Sequence, residues 1–318
     1  MAAWRLGGGL ELDFPPPLTA AIVNVTTDSF YAGARSGTVE QAVADGLRLV
    51  EAGFGMLDVG AVAARSGPPV TPEIEAAKLV PAIERLAAES RVLVAADTFS
   101  AEVARQALAA GAVAVNDISG GLDPRMFEVV AEAGAGYVLM HIEGPPRVDR
   151  ASPDYGDDVV EYLKRWFGER IEVAVAAGVA EEAIAIDPGP DFDLTVDDDI
   201  EILRRLGELA ELGRPIYAAL SRKDFLGAIV AGSWEERVPA EERGPASYAA
   251  AAIAVANGAS ILRVHDVESL DAVTVASAVM GAGAGAIRGA SHPARPGEGA
   301  DAGAGADRTS ENHCRDDA

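Results

Sequence analysis

Polar side chains recur at the ends of short apolar runs along this chain. Asn24 closes the first run (19–25), Asp58 the second (55–60) and Asp97 the third (91–97). Asn116 and Asp117 end the fourth (112–117), His141 the fifth (136–141) and Asp187 the sixth (183–187). Ser221-Arg222-Lys223 follows the seventh (215–220), and Arg263, His265 and Asp266 end the eighth (260–266). One Asp after a strand is commonly a cap. Polar groups at eight successive strand ends are hard to explain structurally and point to a site built from all of them.

The chemistry of the set can be read. Asp97, Asn116 and Asp187 offer acceptors and an amide donor, which suit a heteroaromatic ring with adjacent N–H donors and a carbonyl. Lys223 adds a cationic donor for a ring carbonyl or nitrogen. Arg263 and His265 alternate with Val264, so both leave the strand on one side and fit an oxyanion or phosphate. Asn24 is an oxygen donor suited to Mg²⁺, an ion that bridges substrate phosphates. No zinc site is visible, because His141 and His265 lack a ligand cluster.

The elements that must position these groups alternate from residue 19 to about 280. Runs apolar on both faces fit buried parallel strands. Between them, 38–53 carries Val39, Ala42, Val43, Leu47 and Val50 on one helical face. Thr71, Pro72 and Glu73 open a helix over 71–89, with Pro81 expected to bend it. Helices over 100–111 and 123–134 end in Gly, a stop signal. Eight strands with intervening helices, and no GxGxxG turn after the first, predict a closed (β/α)8 TIM barrel over 19–280. A short hairpin is expected over 1–18. A tail over 281–318, almost without large apolar residues, is expected to be disordered.

Composition narrows the function. With Lys+Arg 26 against Asp+Glu 50, the net charge of −24 disfavours nucleic acid and anionic membranes as partners. An anionic substrate then needs a local basic cluster, and Lys223, Arg263 and His265 are the candidates. The single cysteine, Cys314, allows no internal disulfide framework. No apolar signal core or membrane-span-length run is present, so a cytoplasmic location is expected.

In this order and on these strand ends, NVTTDSF (24–30), DVG (58–60), ADT (96–98), NDI (116–118), DPG (187–189), SRK (221–223) and RVHD (263–266) resemble the dihydropteroate synthases. The match runs from about 19 to 280. It implies transfer of 7,8-dihydropterin-6-ylmethyl from its diphosphate to p-aminobenzoate, giving dihydropteroate and diphosphate. It also implies that Asp97, Asn116, Asp187 and Lys223 bind the pterin ring. Arg263 and His265 would hold the diphosphate, with Asn24 acting through Mg²⁺; Lys223, Arg263 and His265 would be the catalytic set. Asp28 and Arg65 would belong to two loops that close over the site, and Phe192 is retained beside it. A homodimer is implied by the resemblance alone.

Two stretches depart from the family pattern. After DVG the family reads GESTRPG, whereas this chain has Ala61-Val62-Ala63-Ala64-Arg65-Ser66-Gly67. A Thr hydroxyl that contacts the diphosphate in the family is therefore replaced by Ala64. After DPG the family reads FGFGK; here the residues are Pro190-Asp191-Phe192-Asp193-Leu194, with two carboxylates in place of two glycines. These changes leave open a pterin-binding paralogue without synthase activity. A pterin-dependent methyltransferase domain is a third reading, against which SRK and RVHD count.

Overall fold

The computed structural model describes residues 3–26, 36–65, 67, 69–148 and 150–281. The anticipated tail from 282 onward and Asp28 lie outside the described residues.

The chain opens with an antiparallel hairpin of β1 (Ala3–Leu6) and β2 (Leu10–Asp13). Eight parallel strands follow: β3 (Leu18–Asn24), β4 (Met56–Gly60), β5 (Leu93–Asp97), β6 (Ala114–Asp117), β7 (Gly136–Met140), β8 (Ile184–Asp187), β9 (Tyr217–Ala218) and β10 (Ile261–Val264). They pair in the order β8-β7-β6-β5-β4-β3-β10-β9. A parallel bridge between Ile186 and Ile216 joins the two ends, so the sheet closes into a barrel.

The helices that connect the strands are α1 (Val39–Ala52), α2 (Pro72–Glu89), α3 (Ala101–Ala109), α4 (Arg125–Ala133), α5 (Val159–Ala176), α6 (Val196–Arg204), α7 (Asp224–Ala231), α8 (Gly244–Ala256) and α9 (Ser269–Val279). Their starts follow the sequence signals. Thr38, Thr71 and Ser100 each accept a backbone N–H of the first turn of α1, α2 and α3. α2 runs on through Pro81 as one helix. Gly53 and Gly134 stop α1 and α4 in the left-handed conformation.

The two-residue period of each strand sorts side chains into two cores. Outward residues such as Val23, Leu57, Val59, Val94, Val115, Leu139 and Ile186 pack against the helices. Inward residues near the strand starts form a second cluster with Ala20, Met56, Leu93, Ala95, Val138, Ala185, Tyr217 and Ile261. Trp4, Leu6, Leu12 and Phe14 of the hairpin segment complete this cluster, so the hairpin plugs the barrel bottom. The buried Trp4 indole donates to the Ala183 carbonyl at 2.8 Å and anchors the plug. The same inward phase, carried to the strand ends, brings polar side chains to the open top.

Candidate active site

A cleft partly open to solvent lies at the C-terminal ends of the strands. Asn24, Asp97, Asn116, Asp187, Ser221, Lys223, Arg263 and His265 all line it. Asp117, next to Asn116, has the opposite phase. It turns outward, where Ser119, the Gly121 N–H and the Tyr137 hydroxyl satisfy it. His141 is also fully buried away from the cleft, against Tyr155, Tyr162 and Trp166, with Nε2 3.0 Å from Glu143.

The floor is a network of carboxylates around one guanidinium. Arg263 bonds Asp58 through Nε and Asp97 through Nη2, the latter at 2.6 Å. Asp58 Oδ2 also accepts from Asn116 Nδ2 at 2.8 Å and from the Tyr217 hydroxyl at 3.0 Å. Asp58 stood at a strand end in the sequence, but nothing there marked it as the group that aims Arg263. Asn116 Oδ1 is buried and accepts no hydrogen bond. A buried orphan acceptor is costly, and a ligand N–H at this point relieves it.

Burial raises the Asp97 carboxyl to about 7; Arg263 opposes the rise, while Asp58 adds to it. Burial likewise lifts Asp187 to about 6 against the Gly189 N–H bond and the charge of Lys223. The Gly189 N–H donates to Asp187 at 2.9 Å. Its left-handed backbone, with φ +72°, brings it so close to the His141 carbonyl that a Cβ would collide. Burial lowers Lys223 to about 8, offset in part by Asp191. Burial works against the charge of Arg263, but Asp58 and Asp97 outweigh it and hold the guanidinium charged. His265 is pushed well below its ordinary value by burial and by Arg263, Arg222 and Lys223, so it is a neutral imidazole. Its Nδ1 lies 3.0 Å from Ser221 Oγ.

The mouth is built from the two stretches that depart from the pattern. Ala64 packs beside Ile118, Met140, Ile142, Phe99 and Phe192. Arg65 crosses the mouth to Asp224 at 2.5 Å and to the Asp191 carbonyl at 2.7 Å. The Phe192 ring lies 4.5 Å from Lys223 Nζ and 5.7 Å from the Arg65 guanidinium carbon, measured to its centroid. Asp191 and Asp193 both hold positive φ, 66° and 59°, the backbone that glycine takes most easily. Asp193 accepts from the Glu143 N–H at 3.0 Å and from Arg150 at 2.7 Å, tying the loop after β8 to the loop after β7.

A closed barrel with a polar, carboxylate-floored cleft at its strand ends defines a small-molecule enzyme of the (β/α)8 class. Residues 20–265 match the model of the family described as "Pterin binding enzyme". The dihydropteroate synthase of Synechocystis is 36% identical over 273 residues, 81% of this chain and 92% of that one. A Mycobacterium leprae protein named inactive dihydropteroate synthase 2 is 40% identical over 255 residues, 79% of this chain and 86% of that one. The Xanthomonas albilineans dihydropteroate synthase, solved with 4-aminobenzoic acid, superposes with a TM-score of 0.78 at 40% identity, covering 87% of this chain and 98% of that one. Its complex with 7,8-dihydropteroate gives a TM-score of 0.75. The chain belongs to the pterin-binding enzyme family, and within it to the dihydropteroate synthases and their close relatives.

Proposed function

We propose that this chain is a dihydropteroate synthase, a transferase of folate biosynthesis. It joins 7,8-dihydropterin-6-ylmethyl diphosphate to p-aminobenzoate and releases diphosphate. The observation that carries this reading is the floor: an orphan amide oxygen on Asn116 between Asp97 and Asp187, with Lys223 alongside. A pterin edge presents adjacent N–H donors to such acceptors and a carbonyl to such an ammonium.

The chain's residues then act mainly by position. Asp97, Asn116 and Asp187 hold the ring, and Lys223 donates to its carbonyl side. The pterin methylene carbon loses its bond to the diphosphate oxygen as the electron-rich ring stabilises the resulting cation. Arg263 supplies fixed positive charge on that side of the ring, and neutral His265 supplies a hydrogen bond to the leaving oxygens. The neutral arylamine forms the new C–N bond and gives its proton to solvent, so no strong general base is needed. Arg65 belongs to the loop at the mouth of the cleft.

Magnesium fits the donor set in one way. Among the described residues no group of three His, Cys, Asp or Glu side chains is arranged to hold a metal. Asn24 supplies a single hard oxygen in the cleft. Mg²⁺ there would be held by Asn24, diphosphate oxygens and water, and would neutralise the leaving group.

No helix of the described residues is long and apolar enough to cross a membrane. A cytoplasmic enzyme agrees with this and with the lone Cys314. The exposed apolar residues Ile253, Val275, Val279 and Met280 on α8, α9 and the turn after it support a homodimer through these helices. The net charge of −24 supports partners other than nucleic acid and anionic membranes.

The second reading, a pterin-binding protein without turnover, is favoured by Ala64 and by the carboxylates that hold Arg65. Purified chain supplied with both substrates and Mg²⁺ separates the two. The synthase reading requires diphosphate release that depends on p-aminobenzoate; pterin binding with no product supports the second.

A further inference from the structure

Ser221, Arg222 and Asp266 belong to the polar strand ends, yet the reaction as derived does not use them. β9 and β10 pair in parallel, with Tyr217 opposite Ile261 and Ala218 opposite Leu262. Carried past the strands, the same offset of 44 residues sets Ser221 beside His265 and Arg222 beside Asp266. The second pair locks the first. Arg222 donates from Nε at 3.0 Å and from Nη2 at 2.7 Å to the two oxygens of Asp266. The two side chains are 7% and 10% exposed, so this fork is nearly closed to water. Nη1 of the same guanidinium bonds the Ala240 and Glu241 carbonyls at 2.7 and 3.0 Å. The Arg222 N–H donates to Ser247 Oγ at 2.8 Å. Arg222 thus holds two strand ends in register.

The buried Ser221 hydroxyl meets His265 because of that register. Its oxygen accepts the His265 backbone N–H at 3.3 Å and lies 3.0 Å from His265 Nδ1. Among the described residues no other acceptor reaches this hydroxyl. Its proton therefore goes to Nδ1, which must be the bare nitrogen of the ring. Burial and the charges of Arg263, Arg222 and Lys223 keep the ring neutral, so it carries a single proton. That proton is left on Nε2.

We propose that Ser221 is a positioning residue that fixes His265 in its Nε2–H form, with the Arg222–Asp266 pair holding the strand ends so that the two meet. The consequence for the reaction rests on the reading of His265 as a donor to the diphosphate. Nδ1 is engaged by Ser221, so an anion in the cleft that His265 lines meets the ring at Nε2. An Nε2–H donates to that anion; the other tautomer turns a lone pair toward it.

The test follows the ring directly. Full-length chain labelled with ¹⁵N-histidine is observed by NMR near neutral pH, where nitrogen shifts separate a protonated from a bare ring nitrogen. His265→Gln assigns the signals. The parent is expected to show Nε2 protonated and Nδ1 bare. Ser221→Ala removes one oxygen and moves both shifts toward the Nδ1–H form; Ser221→Thr keeps the hydroxyl and restores the parent pattern. Inorganic diphosphate, titrated with Mg²⁺ by calorimetry, binds about tenfold more weakly to Ser221→Ala than to the parent or Ser221→Thr, the worth of one hydrogen bond to a charged group. A parent ring with its proton on Nδ1 overturns the inference, and so does Ser221→Ala with the parent's shifts. A parent that shows the expected tautomer, lost in Ser221→Ala, but binds no diphosphate overturns the leaving-group reading and leaves the action of Ser221 on the ring standing.

Discussion

Arg263 Nη2 lies 2.6 Å from Asp97 Oδ2, on the same guanidinium that bonds Asp58 through Nε. The Arg263 and Asp58 side chains are 18% and 0% exposed, so these charges are balanced with little help from water. Removing one partner leaves the others buried and uncompensated. Arg263→Ala is expected to destabilise the fold by about 3 kcal/mol or more and to lower pterin affinity in parallel. Urea titration of the two proteins measures the first, calorimetry the second. Equal stability would show that the network is not a structural unit.

The carboxyl values imply a pH window for pterin binding. Ring N–H donors need ionised acceptors, and Asp97 and Asp187 reach that state only above about 7 and about 6. Lys223 loses its proton above about 8. Affinity should therefore climb from pH 5 to about 7 and decline above about 8. Binding near pH 6 should release protons, seen as a dependence of the calorimetric heat on buffer ionisation enthalpy. A flat profile over this range contradicts the assignment of these groups to the ring.

Asp97 also links pH to stability. Its folded value, about 7, lies above the ordinary 3.8, so the fold binds the proton that the unfolded chain gives up. Its contribution to stability is then lost as pH rises between those values and is constant above about 7. Asp97→Asn cannot ionise, so it should gain stability relative to the parent as pH goes from 5 to 7.5. Thermal melts at both pH values read the difference, and a variant-minus-parent Tm that falls from pH 5 to 7.5 contradicts the sign.

These acids were legible because a two-residue period points residues of one phase inward, and strand ends face the cleft. Asn116 and Asp117 show the limit. Adjacent and equally polar, they part company because one faces the barrel axis and the other the helices. Arg263 and Asp58 meet across 205 residues only because the barrel closes, which no local pattern records. Asp191 and Asp193 read in sequence as lost glycines beside an anion site. Their bonds to α7, Glu143 and Arg150 depend on how the loops after β7 and β8 fold over one another.

Ala64 stands where the family pattern has a Thr. Ala64→Thr is expected to raise kcat/KM for the pterin diphosphate by about tenfold, the worth of one hydrogen bond to a charged group. The residue sits beside Phe99, Ile118 and Phe192, and one added hydroxyl and methyl must fit there. A fall in kcat/KM with unchanged thermal stability would remove this position from the anion subsite.

Asn116 gives a more local test. Its Nδ2 holds Asp58, and its Oδ1 awaits a donor. Asn116→Ala should weaken pterin binding by about tenfold or more. Unchanged affinity would place the ring elsewhere in the cleft.

The most direct test is dihydropteroate formation by the purified full-length chain with 7,8-dihydropterin-6-ylmethyl diphosphate, p-aminobenzoate and Mg²⁺, followed by chromatography. The predicted result is product, released with diphosphate and abolished in Lys223→Ala. Folded protein that yields no dihydropteroate from saturating substrates would contradict the synthase assignment.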